Sequence, residues 1–182
     1  MPAEPTVVLT ARAVERTVRR MADELLELND GIERLILVGI QRRGVQIAER
    51  LAAVIAEREG RDVPRGALDI TLYRDDLQSV GPIPLVGRTD LPVEIDGQVV
   101  VIVDDVLFTG RTIRAALDEL ADFGRPARIL LAVLVDRGGR ELPIQPDVVG
   151  KTVDVPLGHR IDVLVSALDG RDEVVLAPVK PA

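Results

Sequence analysis

The stretch VVVIVDDVLFTGRT, residues 99–112, joins an apolar run to two acidic residues and a short polar segment that contains a glycine. Residues 99–103 are all β-branched and apolar, which predicts a strand buried on both faces. Asp104 and Asp105 follow that strand directly, and the segment 109–112 (TGRT) stands where the next helix is expected to begin. Two negative charges therefore lie next to a segment that has the character of an anion-binding loop.

The segment 109–112 predicts a phosphate site. The first backbone N–H groups of a helix have no acceptor within the helix, and the helix dipole adds partial positive charge at that end. Gly110 allows the backbone to come close to a ligand, and the hydroxyls of Thr109 and Thr112 can donate hydrogen bonds. These are the features of phosphate sites at helix N-termini. The segment is not a Walker A loop, because the GK[ST] ending and its lysine are absent.

The acidic pair must serve a different part of the same ligand. Asp104 and Asp105 would repel a phosphate group if they faced it, whereas carboxylates accept hydrogen bonds well from a pair of hydroxyls. A phosphate with a diol nearby describes ribose 5-phosphate. The alternative is an aspartate that caps the helix beside a solvated loop.

Hydrophobic periodicity predicts an α/β fold with a mainly parallel central sheet flanked by helices and a small C-terminal β-hairpin. Helices are predicted over 11–28, from Gly44 to a stop at Gly60, and over 112–123; strands are predicted over 34–40, 68–73, 99–103 and 129–135. The turn Asp169-Gly170 lies between the hairpin segments 163–168 and 173–177. Ligands bind beyond the carboxyl ends of parallel strands, so the site is expected at 39–44, 104–112 and 136–140.

Length and composition limit the classes of protein to which this chain can belong. A chain of 182 residues, 47% hydrophobic and 29% charged, predicts a single domain over 1–182. The absence of cysteine excludes thiolate chemistry, and a single histidine, His159, excludes a histidine-rich metal site. The sequence has no apolar run long enough to span a membrane and no signal-peptide pattern, which predicts a cytoplasmic protein. The net charge of −7 argues against bulk attraction to nucleic acid but leaves room for a local basic patch.

The stretch 99–112 closely resembles the phosphoribosyl pyrophosphate (PRPP) motif of type I phosphoribosyltransferases, which pairs two acidic residues with a TGxT loop. LVGIQRRG (37–44), LDITLYRDDL (68–77) and GRPARILLAVLVDRGGRELPI (124–144) resemble one branch of that family, the pyrimidine operon attenuation regulators that are also uracil phosphoribosyltransferases. The resemblance covers about 9–152. It implies a glycosyltransferase that converts uracil and PRPP to UMP and pyrophosphate, uses Mg²⁺, and assembles as a homodimer or larger oligomer.

The resemblance also assigns site residues. Arg43 matches the arginine that holds pyrophosphate in the family, while Arg42 replaces a threonine; without the resemblance both arginines could belong to a solvated turn. Arg74 begins a loop over 74–92 that is mobile in the family and closes over the site, although it could also be a strand-end arginine paired with Asp75 or Asp76. The catalytic candidates are Arg43, Arg74, Asp104 and Asp105. The PRPP-binding candidates are Arg42, Arg43, Asp104, Asp105, Val106, Leu107, Thr109, Gly110, Arg111 and Thr112.

Two further expectations concern the substrate. Uracil is expected near Val135, Asp136, Arg137 and Gly138, beyond the last predicted parallel strand, and the choice of uracil over another base rests on the resemblance. No covalent protein nucleophile is expected, since none of the motifs needs one. Mg²⁺ is expected to be held through pyrophosphate and not by direct protein ligands.

A basic stripe on the first predicted helix is the candidate RNA-binding surface. The family's regulators bind mRNA on a basic surface that spans the dimer, and the resemblance adds Arg140 and Lys151 to the stripe of Arg12, Arg16, Arg19 and Arg20. The alternative is that these arginines have no binding role and form a solvent-exposed helix face.

Several departures from the family reduce the positive charge of that surface. Asp23 and Gly139 stand where histidine is usual, Gln145 replaces an arginine, and 152–160 replaces the PTSxSE segment. The enzyme motifs are intact. The alternatives are therefore a UMP-responsive attenuator that is also an enzyme, an enzyme alone, or a phosphoribosyltransferase for another base.

Overall fold

The computed structural model describes residues 4–70 and 89–179, and all statements of structure below refer to these residues. The strands are β1 (Thr6–Leu9), β2 (Leu35–Ile40), β3 (Arg65–Leu68), β4 (Val99–Leu107), β5 (Arg128–Asp136), β6 (Val148–Thr152), β7 (His159–Leu164) and β8 (Glu173–Pro178). The helices are α1 (Ala11–Asn29), α2 (Arg43–Glu59), α3 (Arg111–Ala121) and α4 (Ser166–Asp169).

The centre of the fold is a five-stranded parallel sheet with the order β3-β2-β4-β5-β6. Helix α2 connects β2 to β3 and α3 connects β4 to β5, as the alternating pattern predicted. Because the strands are parallel, their carboxyl ends lie at one edge. The three segments singled out in the sequence, 39–44, 104–112 and 136–140, lie at the ends of strands of this sheet at that edge, where we predict the site.

Side chains that alternate along each strand divide the core into two layers. Leu37, Val101 and Ala132 pack with α1, α2 and the C-terminal strands, whereas Val38 and Ile102 pack with α3 on the other face. Both faces of the central strands are therefore buried, which is why these strands read as continuous apolar runs. Helix α1 begins as predicted at Thr10, whose hydroxyl accepts from the Ala13 amide at 3.3 Å.

A second, antiparallel sheet has the order β1-β8-β7. The predicted C-terminal hairpin is present as β7 and β8, but the sequence boundaries were wrong because Val165–Leu168 was taken as strand. The Val165 amide donates to Oδ2 of Asp169 at 2.8 Å, and the chain turns there into α4 and ends it on Gly170. Strand β1, which the sequence analysis missed, adds to the other edge of β8.

Strand β4 is longer than predicted. Its pairing with β5 continues through Asp104↔Val133 to Leu107↔Asp136, so the acidic pair lies within the strand and not in a loop after it. Strand β3 ends at Leu68, earlier than predicted, and β6 was not predicted at all.

The predicted loop at 74–92 falls largely outside the described residues, and so does Arg74. Its last residues are described: Asp90 forms an antiparallel bridge with Ala67 of β3. None of the helices within 4–70 and 89–179 has the length and apolar character needed to cross a membrane.

Candidate active site at the carboxyl edge of the parallel sheet

The acidic pair is fixed by the backbone that follows it. Asp104 is buried, with 6% of its surface exposed, and its Oδ1 accepts the Asp105 amide at 2.9 Å. Oδ1 of Asp105, which is half-buried, accepts the Val106 amide at the same distance. These bonds hold both carboxylates at the carboxyl end of β4. Of the other candidates in this strand, Val106 is half-buried and Leu107 is buried.

Helix α3 begins at the predicted phosphate loop. Gly110 is its N-cap residue and has a φ of +93°. A Cβ at this position would also meet Leu142 and Ile144 at 3.3–3.4 Å, so both conformation and space favour glycine. The Thr109 hydroxyl accepts from the Arg111 amide at 3.3 Å. Helix geometry leaves the amide of Thr112 without an acceptor in the helix, as an anion site requires.

The phosphate loop is joined to the segment after β5. The carbonyl oxygen of Thr109 accepts the amides of Glu141 and Leu142 at 3.0 and 3.1 Å. The guanidinium of Arg111, exposed on the first turn of α3, donates through Nε to Glu141 at 2.8 Å. The segment 109–112 is therefore braced by the segment that follows β5.

The start of α2 lies directly against β4. A Cβ on Gly44 would come within 2.5 Å of the Val103 carbonyl oxygen, so only glycine permits this approach. Arg42 is exposed at the N-cap position of α2. Arg43 is half-buried and donates through Nη2 to Oδ1 of Asp169 at 2.8 Å.

Arg43 and Asp105 line a common cleft of about 320 Å³. Its opposite wall is formed by β7, from Arg160 to Leu164, with Arg160 and Asp162 paired at 3.0 Å. The structure thus brings together two residues that the sequence analysis had assigned to one ligand. The sequence analysis did not predict that β7 lines this cleft, because a hairpin pattern does not indicate where the hairpin packs.

At the end of β5, Asp136 is held by its own loop. Its carboxylate accepts from Nη2 of Arg140 at 2.7 Å and from the Gly138 amide at 3.0 Å. Burial by itself would raise the pKa of Asp136, but these hydrogen bonds and the charge of Arg140 outweigh it and lower the pKa. Val135 is buried in β5, Arg137 is half-buried and Gly138 is exposed.

Arg140 lies inside this loop and not on an open surface. Only 14% of its side chain is exposed, and besides Asp136 it donates to the carbonyl oxygens of Ile144 and Phe108 at 2.8 and 2.9 Å. The sequence expectation placed Arg140 among RNA-contacting residues. In the structure its guanidinium donors already have acceptors inside the protein, and the RNA contact stays a prediction.

The arginines of α1 divide between two grooves. Arg16 and Arg20 line a groove of about 560 Å³ together with Lys151 of β6. Arg12 and Arg19 line another, of about 500 Å³, between α1 and α2. Arg19 is paired there with Glu57 at 3.2 Å. The arginines that were predicted to form one stripe therefore lie in two separate grooves. Of these two, the groove of Arg16 and Arg20 is the one that contains Lys151.

The described residues contain no cluster of three or more His, Cys, Asp or Glu side chains that could hold a metal ion. The predicted acidic pair is Asp104 and Asp105, and each carboxylate accepts a backbone amide. Any cation at this edge would need most of its oxygen ligands from a bound molecule.

A parallel sheet with a phosphate loop, an adjacent acidic pair and a cleft at one edge defines a phosphoribosyltransferase-type protein. The family model of the phosphoribosyl transferase domain matches residues 6–160, and the chain belongs to this family. Solved structures share the fold. The hypoxanthine phosphoribosyltransferase of Staphylococcus aureus gives a TM-score of 0.69 at 19% identity, over 97% of this chain and 93% of that one. The Trypanosoma cruzi enzyme gives 0.72 at 20% identity, over 98% and 96%.

Relatives at much higher identity carry one particular name. The bifunctional protein PyrR of Chloroflexus aurantiacus is 58% identical over 169 residues, or 93% of each chain. The PyrR proteins of Pelotomaculum thermopropionicum and Thermus aquaticus are 50% and 53% identical, over 97% of both chains and 93% of both chains respectively. These three matches cover 93–97% of this chain.

Proposed function

We propose that this chain is a uracil phosphoribosyltransferase, which transfers the ribose 5-phosphate group of PRPP to uracil and yields UMP and pyrophosphate. One observation carries the proposal: Asp105, beside the phosphate loop, and Arg43, the pyrophosphate candidate, line the same cleft. The likeness to the hypoxanthine enzymes supports the fold alone. The choice of uracil is supported by the bifunctional PyrR relatives and by the motifs at 37–44, 68–77 and 124–144.

In the proposed complex, PRPP lies along the carboxyl ends of β2 and β4. The 5-phosphate accepts from the first turn of α3 at 109–112, and the ribose diol donates to Asp104 and Asp105. Pyrophosphate is held by Arg43, with Arg42 beside it. Each hydrogen bond between a guanidinium and a phosphate oxygen is worth about 1.5–3 kcal/mol. Arg74 and most of the loop at 74–92, which the resemblance assigns to the same site, lie outside the described residues.

Mg²⁺ is proposed as the cofactor. The residues present fit a cation that is held mainly by pyrophosphate and water, with the acidic pair nearby, since Mg²⁺ keeps several waters and binds substrate phosphates. When bound, it would neutralise charge on the departing pyrophosphate. Its proposed neighbours in the chain are Asp104 and Asp105.

The proposed reaction breaks the bond between ribose C1 and a pyrophosphate oxygen and forms the bond between C1 and N1 of uracil. The N1 proton leaves, and both electrons of the broken bond remain with pyrophosphate. Positive charge develops on the ribose ring, as in glycoside cleavage. Arg43 stabilises the negative leaving group, and the acidic pair fixes the sugar, so much of the rate comes from placing two substrates together.

The experiment is a radiolabel assay of the purified protein with PRPP, Mg²⁺ and a panel of uracil, hypoxanthine and orotate. UMP from uracil is the expected product. Turnover of hypoxanthine or orotate without turnover of uracil would leave a phosphoribosyltransferase but change its base. No turnover with any base would overturn the enzymatic proposal.

A second proposed function is UMP-responsive binding to the leader mRNA of pyrimidine biosynthesis genes, acting as a transcription attenuator. Arg16 and Lys151 on one groove favour it, because such a groove attracts the phosphates of folded RNA. Arg20 lines the same groove but is paired with Glu24 and donates to the Val149 and Gly150 carbonyl oxygens. Arg12 and Arg19 extend the basic character toward α2. The relatives are named bifunctional, in keeping with a second activity.

A homodimer or larger oligomer is part of this second proposal. A two-fold axis would place two copies of the groove on one surface and so double its charge. Sedimentation of the protein at micromolar concentration tests this, with a dimer or larger species expected. A monomer alone would contradict it and would also weaken the RNA proposal.

A further inference from the structure

The aromatic ring of Phe108 and the guanidinium of Arg137 stack at the end of two neighbouring strands. Leu107 of β4 and Asp136 of β5 are the last pair in register. Phe108 directly follows β4, and Arg137 directly follows β5. The guanidinium carbon of Arg137 lies 3.9 Å from the centroid of the ring. This is a cation–π contact between the segment that follows β4 and the segment that follows β5.

The ring of Phe108 also rests on Gly139. A Cβ at Gly139 would lie 2.5 Å from Cε2 and 3.0 Å from Cδ2 of the ring, so no side chain fits there while the ring keeps its place. Gly139 has a φ of +79°, in the left-handed region that favours glycine. Both the backbone conformation and the position of the Phe108 ring therefore favour glycine at position 139.

Stacking, and not a hydrogen bond at Nε, fixes the orientation of the Arg137 head. Within the described protein, Nε of Arg137 is buried and has no hydrogen-bond partner, which is uncommon for a buried donor. The main chain on both sides is held firmly: the Arg137 amide donates to the Leu107 carbonyl oxygen at 3.1 Å, and Arg140 donates to the Phe108 carbonyl oxygen. The backbone that carries the ring and the backbone that carries the guanidinium are thus joined to each other.

We infer that Phe108 and Gly139 are positioning residues that hold the guanidinium of Arg137 beside the base, where it donates to a carbonyl oxygen of the pyrimidine. The inference rests on the proposed uracil phosphoribosyltransferase activity and deepens it. A guanidinium has only donors, so it matches the C4 carbonyl of uracil and not the C4 amino group of cytosine. Phe108, which directly follows β4, thereby contributes to base recognition.

Gly139→Ala tests this inference, with Gly158→Ala as its matched control. Gly158 has the same φ of +79°, but a Cβ there meets nothing within 4 Å, so it reproduces the backbone strain without the ring contact. We expect Gly139→Ala to raise the KM for uracil roughly tenfold, about the effect of losing one charged hydrogen bond. The KM for PRPP should change far less. Gly158→Ala should leave both values near wild type.

A double-mutant cycle identifies the ring as the cause. Phe108→Leu frees the space, so Gly139→Ala should cost little further uracil affinity in that background. Phe123→Leu, which changes the other exposed phenylalanine of the described chain, is the control and should leave uracil use unchanged. The preference for uracil over cytosine should fall in Phe108→Leu and in Gly139→Ala.

The outcomes separate the two levels of the proposal. Additive effects of Phe108→Leu and Gly139→Ala, or a wild-type KM for uracil in Gly139→Ala, would overturn the positioning role while UMP formation by the wild type still supports the enzyme. A wild-type protein that forms no UMP would overturn the enzyme proposal, and with it this inference.

Discussion

Arg43, the first residue of α2, donates through Nη2 to Oδ1 of Asp169 in α4 at 2.8 Å. The pKa of Asp169 is lowered, chiefly by the Val165 amide that donates to its other oxygen, and further by the hydrogen bond and charge of Arg43. Seven residues along the same helix, Arg50 pairs with Asp172. Two ion pairs therefore link α2 to the connection between β7 and β8. The first of them orients Arg43, the residue proposed to bind pyrophosphate.

The first prediction is that Asp169→Asn weakens the use of PRPP. Loss of the carboxylate charge frees the Arg43 guanidinium to turn away from the cleft, so the KM for PRPP should rise about five- to tenfold, or roughly 1–1.4 kcal/mol. The KM for uracil should change much less. Steady-state kinetics of UMP formation provide the measurement.

Asp172→Asn is the matched control for that variant. It removes the other ion pair between α2 and the same connection, and Asp172 does not line the cleft of Arg43 and Asp105. A similar small loss of thermal stability is expected in both variants, with the KM for PRPP raised only in Asp169→Asn. Equal KM values in the two would show that the Arg43 contact is purely structural.

The second prediction concerns the acidic pair. Asn keeps the oxygen that accepts the next backbone amide, so Asp104→Asn and Asp105→Asn should each fold while losing the charge that binds the ribose diol. Each charge-assisted hydrogen bond is worth about 1.5–3 kcal/mol, so turnover at limiting PRPP should fall at least tenfold. UMP formation and circular dichroism measure the two effects. Normal turnover in both variants would remove the diol assignment.

The third prediction is a pH effect at Glu119, a buried residue of α3. Thr89 donates to its Oε1, and within the described chain its Oε2 has no hydrogen-bond partner. Burial is the main cause that raises the pKa of Glu119 above the usual 4.5, partly offset by Thr89. The folded state therefore holds this proton more tightly than the unfolded state. The resulting stabilisation is complete below about pH 4.5 and is lost as the pH rises through the folded pKa.

Glu119→Gln should consequently raise the Tm at pH 7 and have little effect at pH 4, where the wild-type carboxyl is already neutral. Asp118→Asn, on the exposed side of the same helix, is the matched control, because it removes a carboxylate from α3 without touching the buried site. Thermal melts at a series of pH values give the comparison. A Tm for Glu119→Gln below that of wild type at pH 7 would mean that the charged form is stabilised in the fold.

The fourth prediction separates the two basic grooves. Arg16→Ala with Lys151→Ala removes two proposed phosphate contacts, so the slope of log K against log salt should fall by up to about two units. UMP formation should not change, because neither residue lines the cleft. Arg12→Ala with Arg19→Ala, in the groove where Arg19 is already paired with Glu57, should have a smaller effect. Filter binding to a pyrimidine leader RNA with and without UMP is the measurement, and no UMP-sensitive binding at low salt would leave the enzyme alone.

Local sequence patterns were enough to locate the central elements and their shared edge. Strands β2, β4 and β5 are continuous apolar runs because both of their faces are buried, and the helices between them have one apolar face each. Their alternation requires a parallel sheet, which brings the ends of the strands to one edge. The strand β6 escaped notice because it is short and holds Gly150, and β1 because its four residues carry little pattern.

The sequence by itself determined the class of fold, the start of a helix at 109–112 and the acidic pair that precedes it, since these depend on residue order within one strand and one helix start. The phosphate role of 109–112 stays a prediction. Tertiary structure alone decided the partners: Asp169 for Arg43, β7 as the far wall of the cleft, and Phe108 against Arg137 and Gly139. It also turned Arg140 inward and divided the α1 arginines between two grooves. Contacts between residues distant along the chain depend on how whole elements pack, and no local periodicity records that packing.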